Sequence, residues 1–169
     1  MPVHAPSPLD DDNAKAQRHY RSAVSEDVDA IHQILREANL SIPRPEDREQ
    51  ATHHPIGQIF TVVCEFGGAV LGVLQWRDLG DELEILDLAV LNSCRRSGHG
   101  SFLLQKFLRD TVQTAARQIF LEVRESNLPA IALYQKFGFA ISGRRPNYYR
   151  HPPEAALLMQ RAVMHTSTG

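Results

Sequence analysis

Arg95-Arg96-Ser97-Gly98-His99-Gly100 separates two apolar patterns of different period. Before it, Leu83, Ile85, Leu86, Leu88, Ala89, Val90 and Leu91 make a nearly continuous apolar run, which predicts a mostly buried strand. After it, Phe102, Leu103, Leu104, Phe107 and Leu108 recur at helical spacing, which predicts a helix from about Gly98 to Ala116. A strand, a basic glycine-containing turn and a helix start make an anion site. The first helical turn has amides without internal partners, and the helix dipole is positive there. Glycine lets the backbone approach a phosphate with no Cβ in the way.

The spacing excludes the common nucleotide loops. GxxxxGK followed by Ser or Thr is absent, and so is GxGxxG after an early strand. What stands is Arg-x-x-Gly-x-Gly, from Arg95 to Gly100. By itself this hexapeptide is equally compatible with an ordinary turn and helix start, so the rest of the chain must decide.

The chain has 169 residues, 43% of them hydrophobic, and a formal net charge of −2, so one domain with a substantial core is expected and strong electrostatic binding to nucleic acid is not. No stretch is long and apolar enough to span a membrane and none reads as a secretory signal. Cys64 and Cys94 have neither metal-ligand spacing nor a disulfide framework, and a cytoplasmic, reduced protein is the expectation.

Residues 1–17 are proline-containing, with an Asp10-Asp11-Asp12 run and few large apolar groups, and read as a flexible tail before a domain over 18–165. His19 to Val24 reads as a first strand, and Ser25 as the N-cap of a helix with Val28, Ile31, Ile34 and Leu35 on its apolar face. Leu40 to Gly57, with three prolines, reads as a loop with at most a short helix. His53-His54 reads as a surface pair rather than a metal site, because adjacent side chains point apart, and no metal is expected. Gln58–Glu65 and Ala69–Arg77 form a hairpin about Phe66-Gly67-Gly68, and Glu82–Leu91 is the strand entering the glycine loop. Ile119–Arg124 is a further strand. Ser126 or Asn127 caps the next helix, which carries Pro129 in its first turn and ends at Gly138. Phe139–Gly143 and Ala155–Val163 are the last strands, joined by a loop that holds Arg144 to Pro153. This order predicts an α/β fold of one domain, a central sheet with helices packed on it.

Three later segments join the loop in one resemblance. Leu121-Glu122-Val123-Arg124-Glu125-Ser126-Asn127 is followed by Ala130-Ile131-Ala132-Leu133-Tyr134 and by Phe137-Gly138-Phe139. Together with Arg95–Gly100 they resemble the GCN5-related N-acetyltransferases (GNAT), and in detail the RimI-type ribosomal-protein-alanine N-acetyltransferases, over about Glu82 to Tyr149. The resemblance implies a mixed, mostly antiparallel central sheet flanked by helices, with acetyl-coenzyme A as cosubstrate. It further implies that Leu88, Ala89 and Val90 offer backbone groups to the pantetheine arm. Arg96, Ser97, Gly98, His99, Gly100 and Ser101 would hold the pyrophosphate, and Asn127 would hydrogen-bond the cofactor. Glu122 matches the general base, Tyr134 the general acid, and Tyr148 and Tyr149 the acceptor-peptide grip.

Read from the residues alone, Glu122 is an outward carboxylate between Leu121 and Val123, and Tyr134 a core aromatic. The residue types nevertheless suit acyl transfer. The amine must lose protons, the developing oxyanion needs donors, and the departing thiolate needs a proton. Glu84 is the reserve base. Neither cysteine reads as a nucleophile, and no histidine partner is evident for Cys94. The acceptor is a protein N-terminal α-amine or, alternatively, a small amine, amino acid or polyamine; a cofactor-binding module without turnover is the third reading. The segment Asn39-Leu40-Ser41-Ile42-Pro43-Arg44-Pro45 lacks the aromatic residue of the RimI-type proteins, which puts the acceptor side apart from theirs.

Overall fold

Strand alternation gives this sheet two apolar faces, and each is covered by helix. The computed structural model describes residues 17–40 and 57–165. The expected flexible tail, the proline-rich segment from 41 to 56 with His53-His54, and the part of the Asn39–Pro45 comparison beyond Leu40 lie outside the described residues.

Seven strands run β1 (His19–Ser22), β2 (Ile59–Phe66), β3 (Ala69–Asp78), β4 (Glu82–Val90), β5 (Gln118–Arg124), β6 (Ala140–Arg150) and β7 (Pro153–Ala162). Three helices are α1 (Val28–Glu37), α2 (His99–Thr111) and α3 (Leu128–Lys136). The strands lie in the order β1-β2-β3-β4-β5-β7-β6. Each described neighbour pair is antiparallel except β4 and β5, which are parallel and joined through α2. The mixed, mostly antiparallel α/β sheet expected from the sequence is what forms.

On one face Val62, Cys64, Leu74, Leu83, Ile85, Leu121, Val123 and Met159 pack with Leu103, Leu104, Phe107 and Leu108 of α2 and Ile131 and Tyr134 of α3. On the other, Val63, Val73 and Ala89 pack with Ile31, Ile34 and Leu35 of α1. Burying each large side chain of α2 contributes roughly 1.5–3 kcal/mol, which outweighs the weak propensity of any single turn. Gly67 and Gly68 both have positive φ and close the two-residue β2–β3 turn between the paired residues Phe66 and Ala69.

Three local readings are corrected. Ser25 does not cap α1. It opens a 3-10 turn, and its hydroxyl goes to Glu26. The backbone amide of Val24 donates to Asp27 instead, at 2.9 Å, and Asp27 is held by a bidentate contact from Arg21 of β1. That ion pair holds the Asp27 carboxyl below its usual range. The second correction concerns Arg144 to Pro153. The expected loop is strand almost throughout, and β6 and β7 meet at a tight turn over His151 and Pro152. Polar composition and Pro146 argued for a loop, but β6 is an edge strand, exposed along most of its length. Its pairing with β7 shifts between Arg145 and Tyr149, and Asn147, at φ 55, takes up the extra residues. Helix α2 also stops at Thr111, short of Ala116.

Candidate active site

The site begins where the two parallel strands part. Pairing of β4 with β5 runs only from Glu82↔Gln118 to Ile85↔Leu121. Both strands continue, β4 to Val90 and β5 to Arg124. Leu88, Ala89 and Val90 remain paired to Leu74, Val73 and Gly72 of β3, so their β5-facing edge carries backbone groups that no strand takes up. An extended ligand arm can add to that edge as a further strand does.

At the far end of β4 lies the basic loop. Arg96 is at φ 61 and Gly98 at φ 84, and α2 starts at His99 with Gly98 as N-cap. The first helical bond is from Phe102 N to Gly98 O, at 2.9 Å, so the amides of His99, Gly100 and Ser101 have no helical acceptor. Arg95, Arg96 and Ser97 are exposed. Arg18, which no motif contains, brings its guanidinium to Gly98 O at 3.5 Å and adds a third cation. The loop therefore has the free amides, the dipole and the charge that a pyrophosphate requires. Gly98 is required by its backbone angle. Gly100 has ordinary room for a Cβ, 3.6 Å from Leu133 and 3.7 Å from Val90. The His99 side chain turns inward, buried 3.6 Å from the thiol of Cys64 and edge-on to Phe66, so only its backbone faces the loop. Burial pushes the imidazole below its usual pKa and the Cys64 thiol up to about 11, which makes this an inert core pair.

Asn127 caps α3, its side-chain oxygen accepting from Ala130 N at 3.3 Å, and its amide group stays on the surface. Tyr134 lies one face further along α3, with 6% of its surface exposed and its ring edge-on to Phe139 at 5.6 Å. Burial first, then the charge of Asp87 and the neighbouring Tyr149, push its hydroxyl pKa well above the usual value. Tyr134 is thus a permanent donor at neutral pH.

Glu122 is on the opposite sheet face from Leu121 and Val123. Its carboxylate is paired with Arg145 at 2.6 Å. Tyr148 also turns to it: hydrogen bonding to Glu122, then burial and the charge of Glu122, push the Tyr148 hydroxyl up to about 12. Tyr149 is half-buried under the guanidinium of Arg124, 4.0 Å from its ring centre, and feels the charges of Glu122 and Asp87. The two strands β5 and β6 thereby bring Glu122, Tyr148 and Tyr149 together, with Tyr134 in electrostatic reach of Tyr149. Glu84 is occupied by Arg77, which holds it through two nitrogens.

The sequence reading passed over Asp87. Between Ile85 and Asp87 the β3–β4 register slips by one residue at Leu86, so Trp76 faces Ile85 and Gln75 faces Asp87. Burial alone pushes the Asp87 carboxyl up to about 6. An acid set inside the apolar run, directly before Leu88-Ala89-Val90, was the available signal. No group of three or more potential metal ligands occurs among the described residues, and no described helix is long and apolar enough to cross a membrane.

Comparison with known proteins agrees with this geometry. Residues 28–139 match the acetyltransferase (GNAT) family. A Bacillus subtilis protein that carries the name of a ribosomal protein bS18-alanine N-acetyltransferase is 31% identical over 147 residues, 86% of this chain and 95% of that one. An N-alpha-acetyltransferase of Sulfolobus acidocaldarius is 31% identical over 166 residues, 88% of this chain and 95% of that one. The crystal structure of the ribosomal-protein-S18-alanine N-acetyltransferase from Escherichia coli shares the fold, with a TM-score of 0.75 at 24% identity, covering 90% of this chain and 99% of that one. With its parted parallel strands, its glycine-started helix and these relatives, the chain belongs to the GNAT acetyltransferase family and is an N-acetyltransferase.

Proposed function

We propose that this enzyme transfers the acetyl group of acetyl-coenzyme A to the α-amine of a protein N-terminus by direct attack. The observation that carries the reading is the parting of β4 from β5, with a loop suited to pyrophosphate at one end and Glu122, Tyr134, Tyr148 and Tyr149 around the other. The names of the Bacillus and Sulfolobus relatives support the choice of acceptor.

The chain's groups act as follows. Arg96 and the amides from Ser97 to Ser101 hold the pyrophosphate, with Arg18 beside them. The open edge of Leu88, Ala89 and Val90 aligns the thioester arm, and Asn127 offers its free amide to it. The amine nitrogen attacks the thioester carbonyl; the C–N bond forms, the C–S bond breaks, and the sulfur leaves toward Tyr134, which donates its proton. Glu122, held by Arg145 and Tyr148, orders the acceptor side and relays protons through water. Tyr148 and Tyr149 grip the acceptor backbone, since tyrosine combines apolar area with a hydroxyl. Two free thiols, Cys64 and Cys94, suit a cytoplasmic, reducing setting.

The test is thiol release from acetyl-coenzyme A with two peptide sets. One has free N-termini of varied residues and no lysine; the other has a blocked N-terminus and one lysine. Turnover confined to the free set is expected. Turnover confined to the lysine set, or to small amines, overturns the choice of acceptor.

A further inference from the structure

The loop that opens α2 is held at its two ends and not along its middle. At its root, Leu91 N donates to Leu71 O at 2.9 Å, and Cys94 N closes the 3-10 turn Asn92–Cys94 on Leu91 O at 2.9 Å. At its far end, Gly98 O accepts from Phe102 N and from the Arg18 guanidinium. Between these points the amides of Arg96, Ser97 and Gly98 have no hydrogen-bond acceptor among the described residues. The backbone there is also unusual, with Arg96 at φ 61 and Gly98 at φ 84. Free amides are what a phosphate requires, but they leave the loop with no bonds of its own to keep its shape. That shape is therefore set by how the ends are fixed.

The root is fixed from an unexpected quarter. The Asn92 amide is the first of its 3-10 turn, and the first amides of a helical turn have no internal acceptor. The residue before a turn often caps it with a side-chain oxygen, but here that residue is Leu91, which has none. A carboxylate 55 residues earlier takes the place of the cap: Asn92 N donates to Glu37 Oε2 at 2.9 Å. Glu37 is the last residue of α1. Its other oxygen, Oε1, accepts from Gln33 Nε2 at 3.0 Å, one turn back on the same helix, so both oxygens are engaged and the side chain is aimed. The helix beneath is anchored, because Ile34 and Leu35 are fully buried against Val63, Val73 and Ala89, and Leu91 packs on the same cluster. The bond from Asn92 first, then that from Gln33 and the charge of Arg95, hold the Glu37 carboxyl below its usual range. It is an anion at neutral pH.

We propose that Glu37 is a positioning residue for the cosubstrate: from the end of α1 it fixes the root of the loop at Asn92, so that the amides from Ser97 to Ser101 stand ready for the pyrophosphate. The inference rests on the reading of this loop as the acetyl-coenzyme A seat. To that reading it adds a residue from the opposite face of the sheet, outside every motif of the sequence. A loop already in its bound shape loses less freedom when the ligand arrives, and the difference appears as affinity. Glu37 acts through the Asn92 backbone, well away from Glu122 and Tyr134 in the chain and on another layer of the fold, so its effect belongs to cosubstrate binding and not to the chemical step.

The experiment compares Glu37→Ala and Glu37→Gln with the wild-type enzyme. Calorimetry gives the Kd for acetyl-coenzyme A, and thiol release with a free-N-terminus peptide gives kcat and both KM values. Thermal unfolding reports on folding. Glu37→Ala leaves the Asn92 amide without its acceptor and is expected to raise the Kd and KM for acetyl-coenzyme A by about five- to tenfold. The kcat and the peptide KM should stay within about twofold, because neither depends on the loop once the cosubstrate is bound. Glu37→Gln keeps an oxygen for the Asn92 amide and should bring the Kd back to within about threefold of wild type. The inference is overturned if Glu37→Ala binds acetyl-coenzyme A as the wild type does. It is also overturned if kcat, both KM values and Tm all worsen together, which is the mark of a merely structural residue. A Glu37→Gln enzyme as weak as Glu37→Ala overturns it as well, since charge and not the bond to Asn92 would then be the active feature. The calorimetric result needs no acceptor, so it stands whichever amine the enzyme acetylates. A wild-type enzyme without affinity for acetyl-coenzyme A refutes the reading of the loop, and this inference with it.

Discussion

Replacing Tyr134 with phenylalanine removes one oxygen and leaves the ring. The ring is what packs: it is 6% exposed and edge-on to Phe139. The hydroxyl makes no hydrogen bond to another described residue, so its loss changes stability by about 1 kcal/mol or less, a few degrees in Tm. Turnover is another matter. Burial, Asp87 and Tyr149 hold the hydroxyl in its protonated form throughout the working range. A donor aimed at charge that develops only in the transition state is worth about 2.7–4 kcal/mol, or roughly 10²–10³ in kcat. Tyr134→Phe is therefore expected to lower kcat by two to three orders of magnitude, on that basis, while the calorimetric Kd for acetyl-coenzyme A stays within about twofold. The assay is steady-state thiol release at saturating peptide and cosubstrate, with thermal unfolding as the control for folding. A kcat within about twofold of wild type, a barrier change of only roughly 0.4 kcal/mol, refutes the donor role. A loss that appears only in Kd places the hydroxyl in binding rather than in the chemical step.

Gly98→Val forces a β-branched residue to φ 84, a strain of about 1–2 kcal/mol at the residue that starts α2. Calorimetry should show acetyl-coenzyme A affinity reduced by about tenfold or more, with circular dichroism unchanged; wild-type affinity would argue against the loop as the pyrophosphate seat. Asp87 makes a prediction for stability that is independent of catalysis. Its folded-state pKa is raised from 3.8 to about 6, so the folded protein holds a proton that the unfolded chain releases between those values, and stability falls as pH rises through that window. Asp87→Asn lacks this penalty, and its stability advantage over wild type should grow from near zero below pH 4 to roughly 3 kcal/mol above pH 6. Parallel urea-unfolding midpoints for the two proteins across pH 4–7.5 would contradict it.

The parts of the fold that announce themselves in sequence are those whose pattern is local. The apolar run up to Val90, the period of α2 and the Asn127-x-Pro129 start of α3 each depend on residues within one element, and each stands where expected. The failures share a different cause. Arg144 to Pro153 reads as a loop because its polarity is the polarity of an edge strand, and the bulge that accommodates Pro146 is visible only against β7. Ser25 is a good cap by type, yet Asp27 prevails because Arg21, six residues earlier on β1, orients its carboxylate. The same reasoning separates the acids. Glu122 is marked by the family resemblance, and nothing local to it discloses Arg145. Asp87 is unmarked in sequence because its surroundings depend on the Leu86 bulge and the end of the β4–β5 pairing, two facts of the sheet rather than of the strand.

One topological feature accounts for both halves of the site. Parallel neighbours cannot be joined by a hairpin, so β4 and β5 require a crossover, here α2. The crossover starts at the C-terminal end of β4, which places the positive end of the helix and its free amides where the strand stops. β5 then pairs along its length with β7, which runs antiparallel, and from Glu122 onward it no longer follows β4. The gap that results exposes backbone on β4 and carboxylates from both strands, in the crevice that parallel strands leave at their C-terminal ends. On one side the chemistry is cationic, with Arg18, Arg95 and Arg96 at the helix start. On the other stand three acids, Glu84, Asp87 and Glu122, the first and last of them paired with Arg77 and Arg145.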